Sequence, residues 1–147
     1  MEIKLQRFGA APNPEKKYIH RPGVYAILPL ADGILTTFQA GIHNEYQLPG
    51  GGVDPGEQPI QALHREVLEE TGWRIMRPRV FFKFKRFVFM PEYDLWAEKI
   101  CTIYTAQPVM RRSAPIEQNH FPIVLNVEEA LSLLAVSGDR YAVSLFF

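Results

Sequence analysis

The stretch that most limits what this chain can fold into runs from Gly51 to Trp73, GGVDPGEQPIQALHREVLEETGW. A glycine-rich loop, Leu48-Pro49-Gly50-Gly51-Gly52, leads into a turn at Asp54-Pro55-Gly56. Pro59 suits a first helical turn, where its missing N–H costs nothing. Gly72 suits the left-handed position just past a helix C-terminus. The pair predicts a helix over Pro59–Thr71. At 100° per residue, Ile60, Leu63, His64 and Val67 gather on one side. Glu66, Glu69 and Glu70 gather on an adjacent arc, with Glu66 and Glu70 stacked at i,i+4. Like charges at that spacing cost a helix roughly 0.2–0.5 kcal/mol per pair, and two of these acids sit at the dipole end that disfavours them. A solvated, Glu-rich face is one account of this. A hard divalent cation is the other, because Mg²⁺ or Mn²⁺ takes oxygen ligands and turns the repulsion into attraction.

The spacing carries further information. Gly51, Glu57, Arg65, Glu66, Val67, Glu69, Glu70, Gly72 and Trp73 fit the pattern G-x5-E-x7-R-E-U-x-E-E-x-G-U, with U a bulky apolar residue. This resembles the Nudix box of the Nudix (MutT-like) hydrolases; Trp73 is larger than the aliphatic residue usual at its place. The resemblance implies an α/β fold, an α/β/α sandwich around a mixed β-sheet, and a single domain over residues 1–147. It also implies a metal-dependent pyrophosphohydrolase that cleaves a nucleoside diphosphate linked to a moiety X by water attack on phosphorus. In that reading Glu66, Glu69 and Glu70 are the metal ligands, with the Gly50 carbonyl contributing. Arg65 steadies a box carboxylate, Glu57 supports the helix start, and Gly51 and Gly72 shape the backbone. Glu69 is the first choice for general base. Glu117, in a long loop, is the candidate from outside the box, with Glu92 and Asp94 as rivals. His120 reads as a polar loop residue and His64 as structural.

The 147 residues are enough for one domain with a real core. Sixteen basic and sixteen acidic residues cancel, which argues against strong general nucleic-acid binding. The single Cys101 forms no internal disulfide and reads as a small core residue, in keeping with a reducing setting. No signal peptide and no apolar run of about 20 residues is present, so the expectation is a cytoplasmic protein without membrane contact. A homodimer is left open.

In chain order, a short strand is expected near Ile3–Arg7, then a loop punctuated by prolines in which Lys16, Lys17 and Arg21 are solvated or approach a phosphate. Val24–Leu28 reads as a strand covered on both faces, and Asp32-Gly33 turns it into a returning strand at Ile34–Phe38. Val80–Met90 and Trp96–Ala106 read as antiparallel partners around a Pro91–Asp94 loop. Gln107–Pro122 reads as a loop, and Pro122–Leu125 as a last strand. Asn126 with Glu129 forms a capping box that opens a helix over Val127–Val136, ended by Ser137-Gly138, with more helix over Asp139–Phe147.

On the substrate the sequence is less informative. Phe82, Phe84, Tyr93 and Trp96 are candidates for base stacking or for core. Lys83, Lys85 and Arg86 are candidates for phosphate contacts or a polar sheet edge. The resemblance implies a small nucleotide such as a dNTP, ADP-ribose or a dinucleoside polyphosphate. The alternatives are a non-catalytic sensor module that binds a nucleotide or RNA end, and an RNA 5′-end pyrophosphohydrolase.

Overall fold

Two sheets share the strands in the computed structural model, which describes residues 5–147. The larger sheet runs in the order β1 (Gln6–Arg7), β7 (Trp73–Met90), β8 (Leu95–Arg111), β2 (Ile19–Ile27) and β6 (Gly50–Gly52). It is mixed: β1 with β7 and β8 with β2 are parallel, while β7 with β8 and β2 with β6 are antiparallel. The smaller sheet is built on β4 (Gly33–Gln39), which pairs along its length with β9 (His120–Leu125). Its other edge takes β3 (Pro29–Leu30) and then β5 (Glu45–Gln47). Of the strand expected near Ile3–Arg7, β1 is the described part; Ile3 and Lys4 lie outside the described residues.

Helices α1 (Pro59–Thr71), α2 (Val127–Leu133) and α3 (Ser137–Phe146) cover the large sheet from both sides. Val24, Ala26 and Leu28 pack with Ala62, Leu63 and Val67 of α1. Ile27 faces the other way, into a second cluster with Phe84, Cys101 and Ile103 and with Ala130, Leu134, Ala142 and Val143 of the other two helices. A strand buried on both faces must be apolar at consecutive positions, so the run Val24–Leu28 is explained by this layering. Among the described residues no helix is long and apolar enough to cross a membrane.

The boundaries of α1 are those its proline and glycine predict, with Gly72 left-handed at φ 78°. Its buried face is turned from the expected one. Leu63 and Val67 are buried, but Ile60 and His64 are exposed, and Ala62, Glu70 and Thr71 take their place inside. The helix thus rolls toward Glu70, carrying one carboxylate under the surface. Elsewhere the β7/β8 hairpin is longer than its apolar pattern suggests. Irregularities between Arg74 and Ile75, Met76 and Arg79, and Val80 and Phe82 break the alternation that would have marked Trp73–Arg79 as strand. The expected loop Gln107–Pro122 shrinks accordingly, since β8 continues to Arg111 and β9 begins at His120. The strand returning from Asp32-Gly33 pairs with the short β3 and then with β5 and β9 rather than with β2, which is occupied by β8 and β6.

Asn126 caps α2 as expected, with both bonds of the box formed: Glu129 N–H to Asn126 Oδ1 at 2.8 Å and Asn126 N–H to Glu129 Oε1 at 3.0 Å. The helix stops early, at Leu133, since Leu134 turns extended and the Ala135 N–H bonds to the Tyr46 carbonyl at 3.0 Å. Ser137 and Gly138 do not break a helix but begin α3. Gly138 is there because a Cβ would stand 2.4 Å from the buried Phe84 ring. Gly138→Ala is therefore expected to lower unfolding free energy by about 1–3 kcal/mol through overpacking, read from the urea midpoint.

Candidate functional site

The glycines of β6 lie antiparallel against β2, with Val24 opposite Gly51. This short edge strand approaches the flank of α1 closely: a Cβ on Gly51 would sit 2.6 Å from the Glu66 carboxyl carbon. Only glycine lets that carboxylate lie on the backbone.

Arg65 gathers the start of the helix and its acids. Its Nε donates to Glu57 Oε2 at 2.8 Å and its Nη2 to Glu57 Oε1 at 2.9 Å, a two-pronged pairing. Nη1 donates to Glu66 Oε1 at 2.9 Å and Glu69 Oε2 at 3.4 Å, and Nη2 to the Gly52 carbonyl at 3.2 Å. Hydrogen bonds from Arg65 and from the Asp54 N–H hold the Glu57 carboxyl down at about 2. Reciprocally, the Arg65 guanidinium is held more firmly protonated, by Glu57 above all and against the effect of its own burial.

The helix acids diverge in environment. Glu70 is only 4% exposed and accepts from the Gly50 N–H at 3.1 Å. Burial, then the Glu66 charge, pushes its pKa well up against that bond. Burial likewise raises Glu66, with Arg65 pulling the other way. Glu69 stays on the outer side, beside Arg65.

Glu117 is brought in by backbone. The carbonyls that end α1 have no partners within the helix, and the loop after β8 supplies them. Arg112 N–H bonds to Gly72 O at 2.7 Å, while Ile116 and Glu117 N–H groups bond to Glu69 O at 2.9 and 3.0 Å. Glu117 then meets both groups of acids. Oxygens of Glu66, Glu69 and Glu117 lie within 4.8 Å of one another, and so do ligand atoms of Glu70, Glu117 and His120. The three helix carboxylates are thus divided between two clusters joined by Glu117. The donors Glu66, Glu69 and Glu117, all carboxylate oxygens crowded and mutually repelling, fit a hard divalent cation.

His120 is the residue that sequence reasoning missed. It is not a loop residue but the first of β9, 7% exposed, with its Nδ1 3.2 Å from Thr37 Oγ1 and its Nε2 3.9 Å from both Glu70 and Glu117. Burial pushes its pKa down. Pairing of β9 with β4, which sets Gln39 opposite His120, puts it there. The hairpin-tip acids join neither cluster: Glu92 lines the cleft but pairs with His43 at 2.6 Å, and Asp94 is exposed.

These residues open on a cleft of about 1000 Å³ lined by Gly50–Gly52, Glu66, Glu70, Glu117 and His120. Of the aromatic residues considered for stacking, Tyr93 lines it, whereas Phe84 is core and Trp96 packs on Phe89 and Tyr18. Of Lys83, Lys85 and Arg86, it is Arg86 that lines it. Cys101 is buried in the floor, its thiol pushed up to about 12 by burial. Asp139, in the first turn of α3, is 4% exposed, and burial pushes its carboxyl up to about 7 against the pull of Arg86 and Lys99.

A family model described as NUDIX domain matches residues 19–146. A segment of 62 residues is 45% identical to an RNA pyrophosphohydrolase of Helicobacter pylori, covering 39% of this chain and 39% of that protein. The chain thus aligns with about two-fifths of the length of such curated relatives. Among solved structures, a NUDIX hydrolase from Nitrosomonas europaea superposes with TM-score 0.72 at 18% identity, over 87% of this chain and 88% of that one. A MutT protein from Methanosarcina mazei Go1 superposes with TM-score 0.69 at 19% identity, over 88% and 94%. Those two likenesses establish the fold.

Asp139 gives the site a pH signature. Below about pH 4 its carboxyl is protonated whether the chain is folded or not. As pH rises from there toward 7, the unfolded chain ionises it and the folded one resists, so folding loses stability across that window. Asp139→Asn is expected to flatten this fall, gaining on the parent between pH 4 and 8 in melting temperature.

Proposed function

The chain belongs to the NUDIX family, and on that premise we propose that it is a metal-dependent pyrophosphohydrolase, cleaving a nucleoside diphosphate linked to a moiety X. The observation that carries the proposal is the meeting of Glu66, Glu69 and Glu117 oxygens within 4.8 Å of one another, with Glu66 and Glu117 lining the cleft. Glu66, Glu69 and Glu117 would hold Mg²⁺ or Mn²⁺, with Glu70 and the Gly50 carbonyl beside them. When bound, such a cation offsets the negative charge of the phosphates and makes water more acidic. The chain supplies the rest. Arg65 keeps Glu66 and Glu69 in place from the rear, and Glu57 keeps Arg65. Glu69, partly exposed on the outer side, takes the proton of the attacking water, with Glu117 as the rival for that role.

A small nucleotide suits the neutral net charge of the chain. An RNA 5′ end is the second reading, favoured by the names of the curated relatives. A sensor without activity is the third, and the intact set of acids argues against it. A cytoplasmic setting, with Cys101 reduced, belongs to the same proposal.

Purified protein with Mg²⁺ or Mn²⁺ is expected to release phosphate, pyrophosphate or a nucleoside monophosphate from at least one member of a panel of dNTPs, ADP-ribose, dinucleoside polyphosphates and 5′-triphosphorylated RNA. No product from any member would leave only the sensor. Glu69→Gln is expected to lower kcat by about 10²–10⁴-fold with the fold preserved by circular dichroism. A deeper loss in Glu117→Gln would move the base to the loop. Millimolar Mg²⁺ is expected to raise the melting temperature of the parent, since a ligand of the folded state stabilises it by mass action, and to raise it less in Glu66→Gln.

A further inference from the structure

Beyond the acids, the cleft floor holds a row of cations that the reaction as described does not use. Arg86 of β7 stands in register with Lys99 of β8, and Lys99 with Arg21 of β2. Residues in register on neighbouring strands share a face, and all three line the cleft. Among the described residues they are the only lysines or arginines that do. Like charges directly opposite one another destabilise a sheet, so a row of three is not what folding alone selects.

The row is offset only in part, by the charge of the nearby Asp139. None of the three forms an ion pair with a carboxylate among the described residues. Arg21 lies instead over the Tyr93 ring, 4.8 Å from its centre, and the Lys99 ammonium 5.9 Å from the centre of Tyr25. Asp139, nearly buried, reaches the same cleft and makes no side-chain hydrogen bond to the described residues. Burial above all, then the Arg86 charge, pushes the Lys99 pKa down, with Asp139 and Glu92 pulling the other way.

Position gives the row its use. The next residues on the same face are Phe84, Cys101 and Gly23, and Gly23 is in register with Gly52. The cations therefore lie roughly 7 Å along the strands from Gly23, whose partner Gly52 is the chain neighbour of Gly51, the glycine against which Glu66 rests. The row and the acids Glu66, Glu70 and Glu117 line one and the same cleft.

We propose that Arg21, Lys99 and Arg86 form a second anion subsite that holds a further phosphate of the substrate. The inference rests on the pyrophosphohydrolase reading and narrows it: X is itself phosphorylated, as in a nucleoside triphosphate or a dinucleoside polyphosphate, and is not an uncharged sugar. Each cation offers charge-assisted hydrogen bonds to phosphate oxygens, and Arg21 and Arg86 can do so in pairs.

Calorimetric titration of inorganic tripolyphosphate into the protein in EDTA and low salt tests the row without any metal. The parent is expected to bind, and Arg86→Gln and Lys99→Gln are each expected to weaken binding about tenfold, as befits one charge-assisted contact. Lys85→Gln, a neighbouring cation of β7 outside the cleft, is expected to bind as the parent does. Without ligand, both row variants are expected to melt at or above the parent temperature, because one of the opposed charges is gone. No binding by the parent at millimolar tripolyphosphate, or binding as tight as the parent's in both row variants, overturns the proposal. Displacement of tripolyphosphate by a 5′-hydroxyl oligonucleotide at the row overturns it too, since the row would then hold a nucleic-acid backbone. The two readings fail separately: row-sensitive binding with no turnover of any nucleotide sinks the hydrolase, while turnover with row-insensitive binding sinks the subsite.

Discussion

Mutual repulsion among carboxylates governs the working end of this molecule. Glu66, Glu69, Glu70 and Glu117 converge where α1 ends, and the helix dipole adds to the strain there. Arg65 offsets part of it, bonding at once to Glu57, Glu66, Glu69 and the Gly52 carbonyl. That arrangement ties the glycine strand, the helix start and the acidic turn to one guanidinium. The burial of Glu70 goes further than any arginine compensates, and its bond to the Gly50 N–H offsets only part of the cost. Structure and chemistry are therefore opposed at this spot, which is the pattern expected where a site is kept for use rather than for stability.

The two sheets divide the remaining tasks. The mixed sheet, sandwiched between α1 and the two C-terminal helices, provides the rigid floor. The smaller sheet brings His120 through β9 and Thr37 through β4 to the far side of the acids. The cleft follows from that division, with an acidic end near α1 and a basic strip on the floor. Such a polarised trough suits a ligand with an extended negative charge and one metal-bound end.

Much of this could be read from the residues themselves. Pro59 and Gly72 delimit α1, and Asn126 with Glu129 starts α2, because caps are local and their chemistry is short-range. The nine matched positions of the glycine–helix motif identified the acids. What escaped was set at long range. His120 looks like a loop histidine until β9 is paired with β4, some eighty residues earlier in the chain. Glu70 looks equivalent to Glu66 until the helix rolls onto the sheet. The first part of β7 is hidden by bulges, where alternation fails. Arg21 and Lys99 are remote in sequence and become neighbours only through a parallel pairing of β2 and β8, which no local pattern announces.

The way the loop after β8 is fastened bears on how such a molecule could diversify. Glu117 owes its place to main-chain bonds with the Glu69 and Gly72 carbonyls, and main-chain bonds are indifferent to side-chain identity. Arg112, Ser113 and Ile116 can accordingly drift while the spacing between them holds, whereas an insertion there would unhook the acid from its partners. Lineages descended from this scaffold would be free to rewrite the walls that choose a ligand and bound to keep the loop's length that serves the chemistry.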